Sequence, residues 1–293
     1  MAGSPSHRFG QLIGDLLEEI MTPAFQEFCI QRELYLDVKG ERGDARAGRK
    51  VTWEDKFGNT HDLDFVIERG GSKKVRGRPV AFIEAACRRY TKHSRNKVQE
   101  IQGAILPIAE KHSWDAPFLG AILAGVFTDG SLAQMRSSGF EVVLFPYESI
   151  VEAFFSIGID VAFDEKTPDT KFASTVTKIN KLPRSKRDLL KKKLVETNRL
   201  LIDQFFGRLQ SRIDRRIEPV TLIALHGEES EFHNIEDAVA FIGKYEESSS
   251  QHGMFRKFEV IVKYSNGDKI DASFQAKHLA ISFLKYVAAG ETA

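Results

Sequence analysis

The sequence predicts an α/β fold built around a mixed sheet. An amphipathic helix opens the chain, because apolar residues recur at helical spacing over residues 7–20. Three strand-like segments follow, and helical and strand-like segments then alternate up to about residue 157. This order of elements is typical of an α/β domain whose sheet is covered by helices.

Local signals place the individual elements. Thr22-Pro23 is expected to interrupt the first helical region, which resumes to about Arg32. A hairpin is expected over residues 51–68, with Gly58-Asn59 as its turn. The apolar run at 79–86 predicts a buried central strand. Further helices are expected at 94–112, 130–138 and 148–157, and further strands at 34–38, 118–126 and 140–146.

The chain is expected to divide into three regions. Residues 1–165 form the α/β domain. Residues 166–217 predict a basic helical segment, in which Pro183 to Arg187 separates a short helix from a long one with a Leu and Phe stripe. Residues 218–293 predict a separate βαββα module, whose hairpin turns at Asn266-Gly267.

Composition excludes a membrane-spanning protein. The chain has 293 residues, of which 42% are apolar and 28% charged, and its formal net charge is +1. The longest apolar run, residues 118–127, is too short to span a bilayer, and the N-terminus lacks the apolar core of a signal peptide. The two cysteines have no metal-binding spacing, which suits a reducing compartment. We therefore expect a soluble cytoplasmic protein with no membrane partner.

Two predicted neighbouring strands each carry an acid within an apolar run. Asp64 lies in HDLDFVIE, with Asp62 two residues earlier, and Glu84 lies in PVAFIEAA. A carboxylate in a buried strand is costly unless it is paired or bound to a metal. Carboxylate pairs of this kind suit Mg²⁺ or Mn²⁺, which can activate water and neutralise phosphoryl charge. The alternative is that both acids are solvated at strand ends.

The order of these residues resembles the PD-(D/E)XK nuclease superfamily over about residues 8–146. That family has a helix bearing Glu, a hairpin whose second strand bears Asp, a strand bearing (D/E)-x-K, and a following helix that often carries Gln. Asp64 and Glu84 match the two strand acids. The resemblance implies a restriction-endonuclease-like fold and metal-dependent hydrolysis of DNA phosphodiesters, with Asp64 and Glu84 holding Mg²⁺ or Mn²⁺.

Two positions of the motif leave a choice between neighbours. Glu18 and Glu19 both match the helix position. Because the apolar stripe centres near Leu16 and Ile20, Glu19 lies beside it and Glu18 opposite it, which favours Glu19 as the assisting carboxylate. Gln99 or Gln102 matches the following helix.

The family lysine is missing, since Ala86 stands two residues after Glu84. Lys92 and Lys97 follow shortly after and are the favoured replacements, with Arg88 in support. A lysine suits the role better because a guanidinium hardly deprotonates.

The basic segment after Glu84 also predicts contacts to nucleic-acid phosphates, and part of the later helical segment is a second candidate. The expected DNA-binding residues are Arg88, Arg89, Lys92, Arg95, Gln99, Gln102, Lys186 and Arg187. The alternative is that these charges form solvated surfaces.

By resemblance, the expected function is a restriction or genome-defence endonuclease, acting as a homodimer. The sequence leaves open a partner methyltransferase or other subunit. Two other functions stay open: a nuclease-like DNA-binding protein that has lost catalysis, and an assembly protein that binds other proteins through its helical segment and C-terminal module.

Overall fold

The computed structural model describes residues 4–88, 94–164, 166–224, 228–245 and 255–290. The chain forms two compact units. The first comprises Met1–Lys111 and Pro117–Leu209, and the second comprises His112–Ala116 and Gln210–Ala293. The helical segment predicted to begin at residue 166 is thus largely part of the first unit.

One continuous helix, α1 (Pro5–Ile30), opens the first unit. It begins at Ser4, whose hydroxyl accepts a hydrogen bond from the backbone N–H of His7 at 3.3 Å. The predicted interruption at Thr22-Pro23 is wrong. Phe25, Phe28 and Cys29, which follow Pro23 in the helix, are buried. This burial offsets the hydrogen bond that the proline cannot make.

A five-stranded mixed sheet forms the centre of the first unit, in the order β1-β4-β5-β6-β7. Strands β1, β4 and β5 are antiparallel, whereas β5, β6 and β7 are parallel. The predicted α/β class with a mixed sheet is therefore confirmed. The strands of this unit are β1 (Leu34–Val38), β2 (Val51–Glu54), β3 (Thr60–Leu63), β4 (Phe65–Arg69), β5 (Arg78–Arg88), β6 (Phe118–Gly125) and β7 (Phe140–Pro146).

The predicted hairpin is present but its second strand is broken. Strands β2 and β3 pair as a separate two-stranded sheet, with Gly58 at a positive φ of 86° in the turn. The chain bends at Asp64 and continues as β4, which joins the main sheet. Asp64 thus stands at the point where the chain passes from one sheet to the other.

Helices cover both faces of the main sheet. On one face, Val98 and Ile101 pack with Phe82 and Ala86 of β5. On the other face, Phe25 of α1 packs against Phe65 of β4, with ring centroids 4.9 Å apart. The remaining helices of this unit are α2 (Ser94–Lys111), α3 (Asp129–Ser137), α4 (Tyr147–Ser156), α5 (Asp169–Asn180), α6 (Arg184–Thr197) and α7 (Arg199–Ile213), of which the last four residues are assigned to the second unit.

The single long helix predicted after Pro183 is two helices, α6 and α7, separated at Asn198. The side chain of Asn198 is buried and donates to the Leu194 carbonyl at 2.8 Å and to the Ser149 hydroxyl at 3.2 Å. An Asn side chain that bonds the backbone competes with helix continuation. The buried amide therefore ends one helix and fixes it to α4.

The second unit is a four-stranded antiparallel sheet with two helices, in the order β11-β10-β8-β9. Its elements are β8 (Ile217–Ala224), β9 (Glu228–Phe232), α8 (Ile235–Lys244), β10 (Phe258–Tyr264), β11 (Lys269–Phe274) and α9 (Lys277–Ala289). The predicted βαββα module lacked β9, whose sequence EESEF is too acidic to give a strand pattern. Among the described residues, no helix is long and apolar enough to cross a membrane.

Candidate active site

Asp64 and Glu84 lie side by side where β4 begins next to β5. Phe65 pairs with Ile83 in the antiparallel register, so the next position along sets Asp64 opposite Glu84. The Asp64 Oδ2 atom accepts a hydrogen bond from the backbone N–H of Ala85 at 2.7 Å. The backbone N–H of Asp64 in turn donates to the Glu84 carboxylate. The structure thus brings together the two acids that the sequence predicted as a pair.

Both carboxyl groups are held in surroundings that disfavour their ionised form. Burial raises the pKa of Asp64, although the Ala85 N–H and the charge of Lys97 oppose this shift. Burial and the neighbouring Asp64 charge raise the pKa of Glu84 to about 8. The Glu84 Oε2 atom is inaccessible to solvent and has no hydrogen-bond partner among the described residues. A buried carboxylate oxygen without a hydrogen-bond partner is stabilised by a cation or by protonation.

The third carboxyl group of the cluster is Glu18, not the predicted Glu19. Burial and the Asp64 charge raise the pKa of Glu18 to about 7. Glu19 instead pairs with Arg187 at 3.1 Å and Lys191 at 2.7 Å, on the side of α1 that meets α6.

The width of the buried face of α1 explains this difference. The helix buries Leu17, Met21 and Phe25 as well as Leu16 and Ile20, so its apolar face is wider than the stripe assumed from the sequence. At about 100° per residue, Glu18 lies roughly 20° from Phe25 around the helix. Because Phe25 packs on Phe65, which follows Asp64, the same side of α1 carries Glu18 to the acid pair.

Lys97 supplies positive charge to the pair. Its charge lowers the pKa of both Asp64 and Glu84, against the effect of burial. The Lys97 ammonium lies 3.3 Å from the Glu100 carboxylate, and the Arg88 guanidinium lies 3.5 Å from the same carboxylate. Lys97 and Arg88 are therefore neighbours, joined through Glu100 on the exposed side of α2.

Ala86 carries no charge to the site and is part of the core. It is buried among Phe82, Val98 and Ile101, beneath α2. A lysine at this position would have to leave that packing to reach Glu84. The described lysine whose charge acts on Glu84 is therefore on the helix, at Lys97.

Lys39 also lies at the site, and sequence reasoning missed it. Val38 pairs with Phe65, so the residue after β1 stands next to Asp64 at the end of the register. The charge of Lys39 lowers the pKa of both Asp64 and Glu18. The ammonium is 4.0 Å from the Asp15 carboxylate of α1. The signal that could have found Lys39 is its position one residue beyond a strand that pairs with the Asp64 strand.

The other predicted DNA-binding residues are dispersed. Gln102 is buried and bonds Gln134 and Ser138, so it joins α2 to α3 and does not reach the acids. Gln99 and Arg95 are exposed on α2. Arg89 and Lys92 lie outside the described residues.

Lys186 and Arg187 are engaged within their own unit. The Lys186 ammonium donates to the Ile157 carbonyl at 3.2 Å, and Arg187 pairs with Glu19 as described above. Neither contact involves the acid pair, so the structure does not bring these two residues to the candidate site.

Asp64, Glu84 and Glu18 suit a hard divalent cation by their chemistry. All three supply carboxylate oxygens, the donors that Mg²⁺ and Mn²⁺ prefer, and one of the Glu84 oxygens is buried without a partner. No three side chains of His, Cys, Asp or Glu are already arranged as a set of metal ligands in the described part of the chain. Binding would therefore require the side chains to move toward the ion.

The second unit contains a cleft of about 520 Å³. It is lined by Ser113, Trp114, Ala116 and the β11 residues from Lys269 to Phe274. Its acid, Asp271, is paired with Lys269 at 2.9 Å. The cleft therefore lacks the uncompensated acids that mark the site of the first unit.

Comparison with known proteins assigns no family to the chain. No protein-family model matches it, and no curated protein matches it. Among solved structures, a protein of unknown function, AF1548, is similar at 10% sequence identity with a TM-score of 0.28. That match covers 66% of this chain and 99% of the other. A similarity this distant carries no argument about function, so the functional argument depends on the site.

Proposed function

We propose that this protein is a metal-dependent DNA endonuclease, as its resemblance to the PD-(D/E)XK superfamily implies. The observation that supports this most is the interlocked Asp64 and Glu84 pair, with a buried Glu84 oxygen that has no described partner. Strongly perturbed carboxyl groups that act on one another are characteristic of functional sites. A structural acid pair would be expected to have its full complement of donors.

Each described residue of the site has a role in this proposal. Asp64 and Glu84 would hold Mg²⁺ or Mn²⁺, which when bound lowers the pKa of water and neutralises phosphoryl charge. Lys97 places an ammonium beside the pair and would stabilise the negative charge that develops on the phosphate. Arg88 supports Lys97 through their shared contact with Glu100. Glu18, with a pKa raised to about 7, can hold or release a proton near neutral pH.

The proposed biological setting follows the resemblance alone. We propose a restriction or genome-defence enzyme of the cytoplasm that acts as a homodimer, since cleavage of both strands is served by two-fold symmetry. A companion methyltransferase would accompany this role in a restriction system.

The decisive experiment is cleavage of supercoiled and linear DNA with Mg²⁺ or Mn²⁺. Asp64→Asn is expected to abolish cleavage while the protein stays folded, and EDTA is expected to do the same. Asp62→Asn is the matched control: Asp62 lies two residues earlier but is exposed and paired with Lys50, so cleavage should persist. Equal cleavage by wild type and Asp64→Asn would refute the assignment.

The second candidate function is a DNA-binding protein without catalysis. The burial of Ala86 and the lack of a preformed set of metal ligands among the described residues favour it. It predicts DNA affinity that falls steeply with salt but no cleavage under any metal. An assembly protein, by contrast, would show no salt-dependent DNA affinity.

A further inference from the structure

A buried ion network adjoins the candidate site on the side of β1. Asp37, Arg42, Arg46 and Glu68 are all buried. Arg42 bonds Asp37 at 2.8 Å and Glu68 at 2.7 Å, and Arg46 bonds Asp37 at 3.1 Å. Every charge in this network is therefore paired, which is the condition under which buried ions persist.

The network holds the backbone on both sides of Lys39. One guanidinium nitrogen of Arg46, Nη2, donates to the Val38 carbonyl at 2.9 Å and to the Gly40 carbonyl at 2.8 Å. The N–H of Gly40 donates to the Arg49 carbonyl at 2.8 Å. The backbone of Lys39 is thus fixed by its two neighbours, although it lies beyond the end of β1.

Although the backbone of Lys39 is fixed, its side chain is exposed to solvent. It is 67% exposed, and its ion-pair partner Asp15 is itself exposed and 4.0 Å away, at the limit of an ion pair. An exposed pair at this distance contributes little to stability. The Lys39 ammonium can therefore exchange Asp15 for another anion at little cost.

The candidate site also needs positive charge on the side of β1. The carboxyl groups of Asp15, Glu18, Asp64 and Glu84 act on one another here, and any negative charge that they carry repels an approaching nucleic-acid phosphate. Lys97 approaches from α2, whereas Lys39 approaches from the end of β1. The charges of both lysines act on Asp64, so a phosphate bound beside Asp64 would be attracted by both ammonium groups.

We propose that Lys39 binds a backbone phosphate of the nucleic acid next to the Asp64 and Glu84 pair, and that the buried network positions it there. This inference depends on the proposed function and adds a substrate-binding residue outside the family motif. The network supplies the rigidity that makes a long side chain effective, because a fixed backbone lowers the entropy lost on binding.

The test measures binding of a labelled DNA duplex by fluorescence anisotropy over a range of salt concentrations. It uses the full chain with Asp64→Asn, so that cleavage does not interfere. Adding Lys39→Ala is expected to weaken binding several-fold and to reduce the slope of log affinity against log salt by about 0.9, the value for one lost phosphate contact. Lys39→Arg is expected to restore both.

Lys50→Ala is the matched control. Lys50 is similarly exposed, at 75%, but is held by Asp62 at 2.5 Å. Its replacement should leave the slope close to that of the parent. The unfolding temperature of the Lys39→Ala variant should also be unchanged, which separates a binding role from a structural one.

The outcomes distinguish this inference from the proposed function. If the wild type cleaves DNA and Lys39→Ala leaves the salt slope and affinity unchanged, the Lys39 inference fails alone. If the wild type neither cleaves nor binds DNA, both fail. A reduced slope rescued by arginine supports the Lys39 inference.

Discussion

Two acids at opposite ends of the same strand have opposite surroundings. Glu68, near the end of β4, is fully buried and accepts hydrogen bonds from Arg42 and from the Gly77 N–H. Asp64, just before β4, accepts one from the Ala85 N–H and lies beside the carboxyl group of Glu84. Both acids stand in the apolar segment HDLDFVIE. Burial alone therefore does not distinguish a structural acid from a candidate functional one; the extent of compensation does.

The paired end of β4 is expected to be the more sensitive to loss of a partner. Arg42→Ala leaves the buried Glu68 without its ionic partner, while Asp37 keeps Arg46, and should lower the free energy of unfolding by about 3–5 kcal/mol. Denaturant unfolding measures this difference. Arg49→Ala, at an exposed position, should change stability by less than about 0.5 kcal/mol. A small loss on Arg42→Ala would show that the network is dispensable.

Removing a charge from the acid pair is expected to raise the free energy of unfolding, whereas Arg42→Ala lowers it. Because the folded pKa of Glu84 is raised to about 8, the folded state binds a proton that the unfolded state loses above its ordinary pKa of 4.5. The wild type therefore loses stability as pH rises from about 4.5 to 8 and has its full penalty above 8. Glu84→Gln removes this penalty. After reduction for partial solvent exposure, we expect a gain of roughly 2–3 kcal/mol at pH 8.5.

The same comparison at pH 4 is the internal control for Glu84→Gln. There Glu84 is protonated in both states, so the variant and the wild type should unfold at nearly equal denaturant concentrations. A variant less stable than the wild type at pH 8.5 would show that the Glu84 carboxylate is compensated after all.

Metal affinity is expected to depend on pH over the same range. A cation that binds the Glu84 carboxylate must displace its proton below pH 8, so Mn²⁺ affinity should rise up to about tenfold per pH unit and level off above pH 8. Titration calorimetry in two buffers of different ionisation enthalpy measures the released proton. Glu84→Gln should reduce this release, leaving only the protons of Glu18 and Asp64, and a pH-independent affinity in the wild type would contradict the proposal.

The smallest change in the free energy of unfolding is expected at an exposed ion pair. Lys50 and Asp62 are 2.5 Å apart but largely solvated. Lys50→Ala should therefore lower the free energy of unfolding by less than about 1 kcal/mol, and less still in high salt. A loss approaching that of Arg42→Ala would mean that short contact distance, and not burial, sets the contribution of an ion pair in this protein.

Much of the fold follows from local patterns. The α/β class, the hairpin turn at Gly58, and the strands that contain or adjoin Asp64 and Glu84 were predicted from periodicity and turn residues. These signals depend on neighbours within a few positions of each other. The ends of the helices were harder to predict. Pro23 does not end a helix, whereas Asn198 does. Each outcome depends on what the neighbouring residues bury.

The sequence by itself determined most of the helices and strands and the acid pair, because the order of the strands and the apolar residues around each acid can be read from the sequence. The tertiary structure decided which charges act together. Glu18 and Asp64, Lys39 and Asp64, and Arg42 and Glu68 are each far apart in the chain, so their proximity depends on helix rotation and strand register. Coulombic and hydrogen-bond energies fall steeply with distance, and only the folded arrangement shows that Glu68 is paired with Arg42 while one buried oxygen of Glu84 has no partner among the described residues.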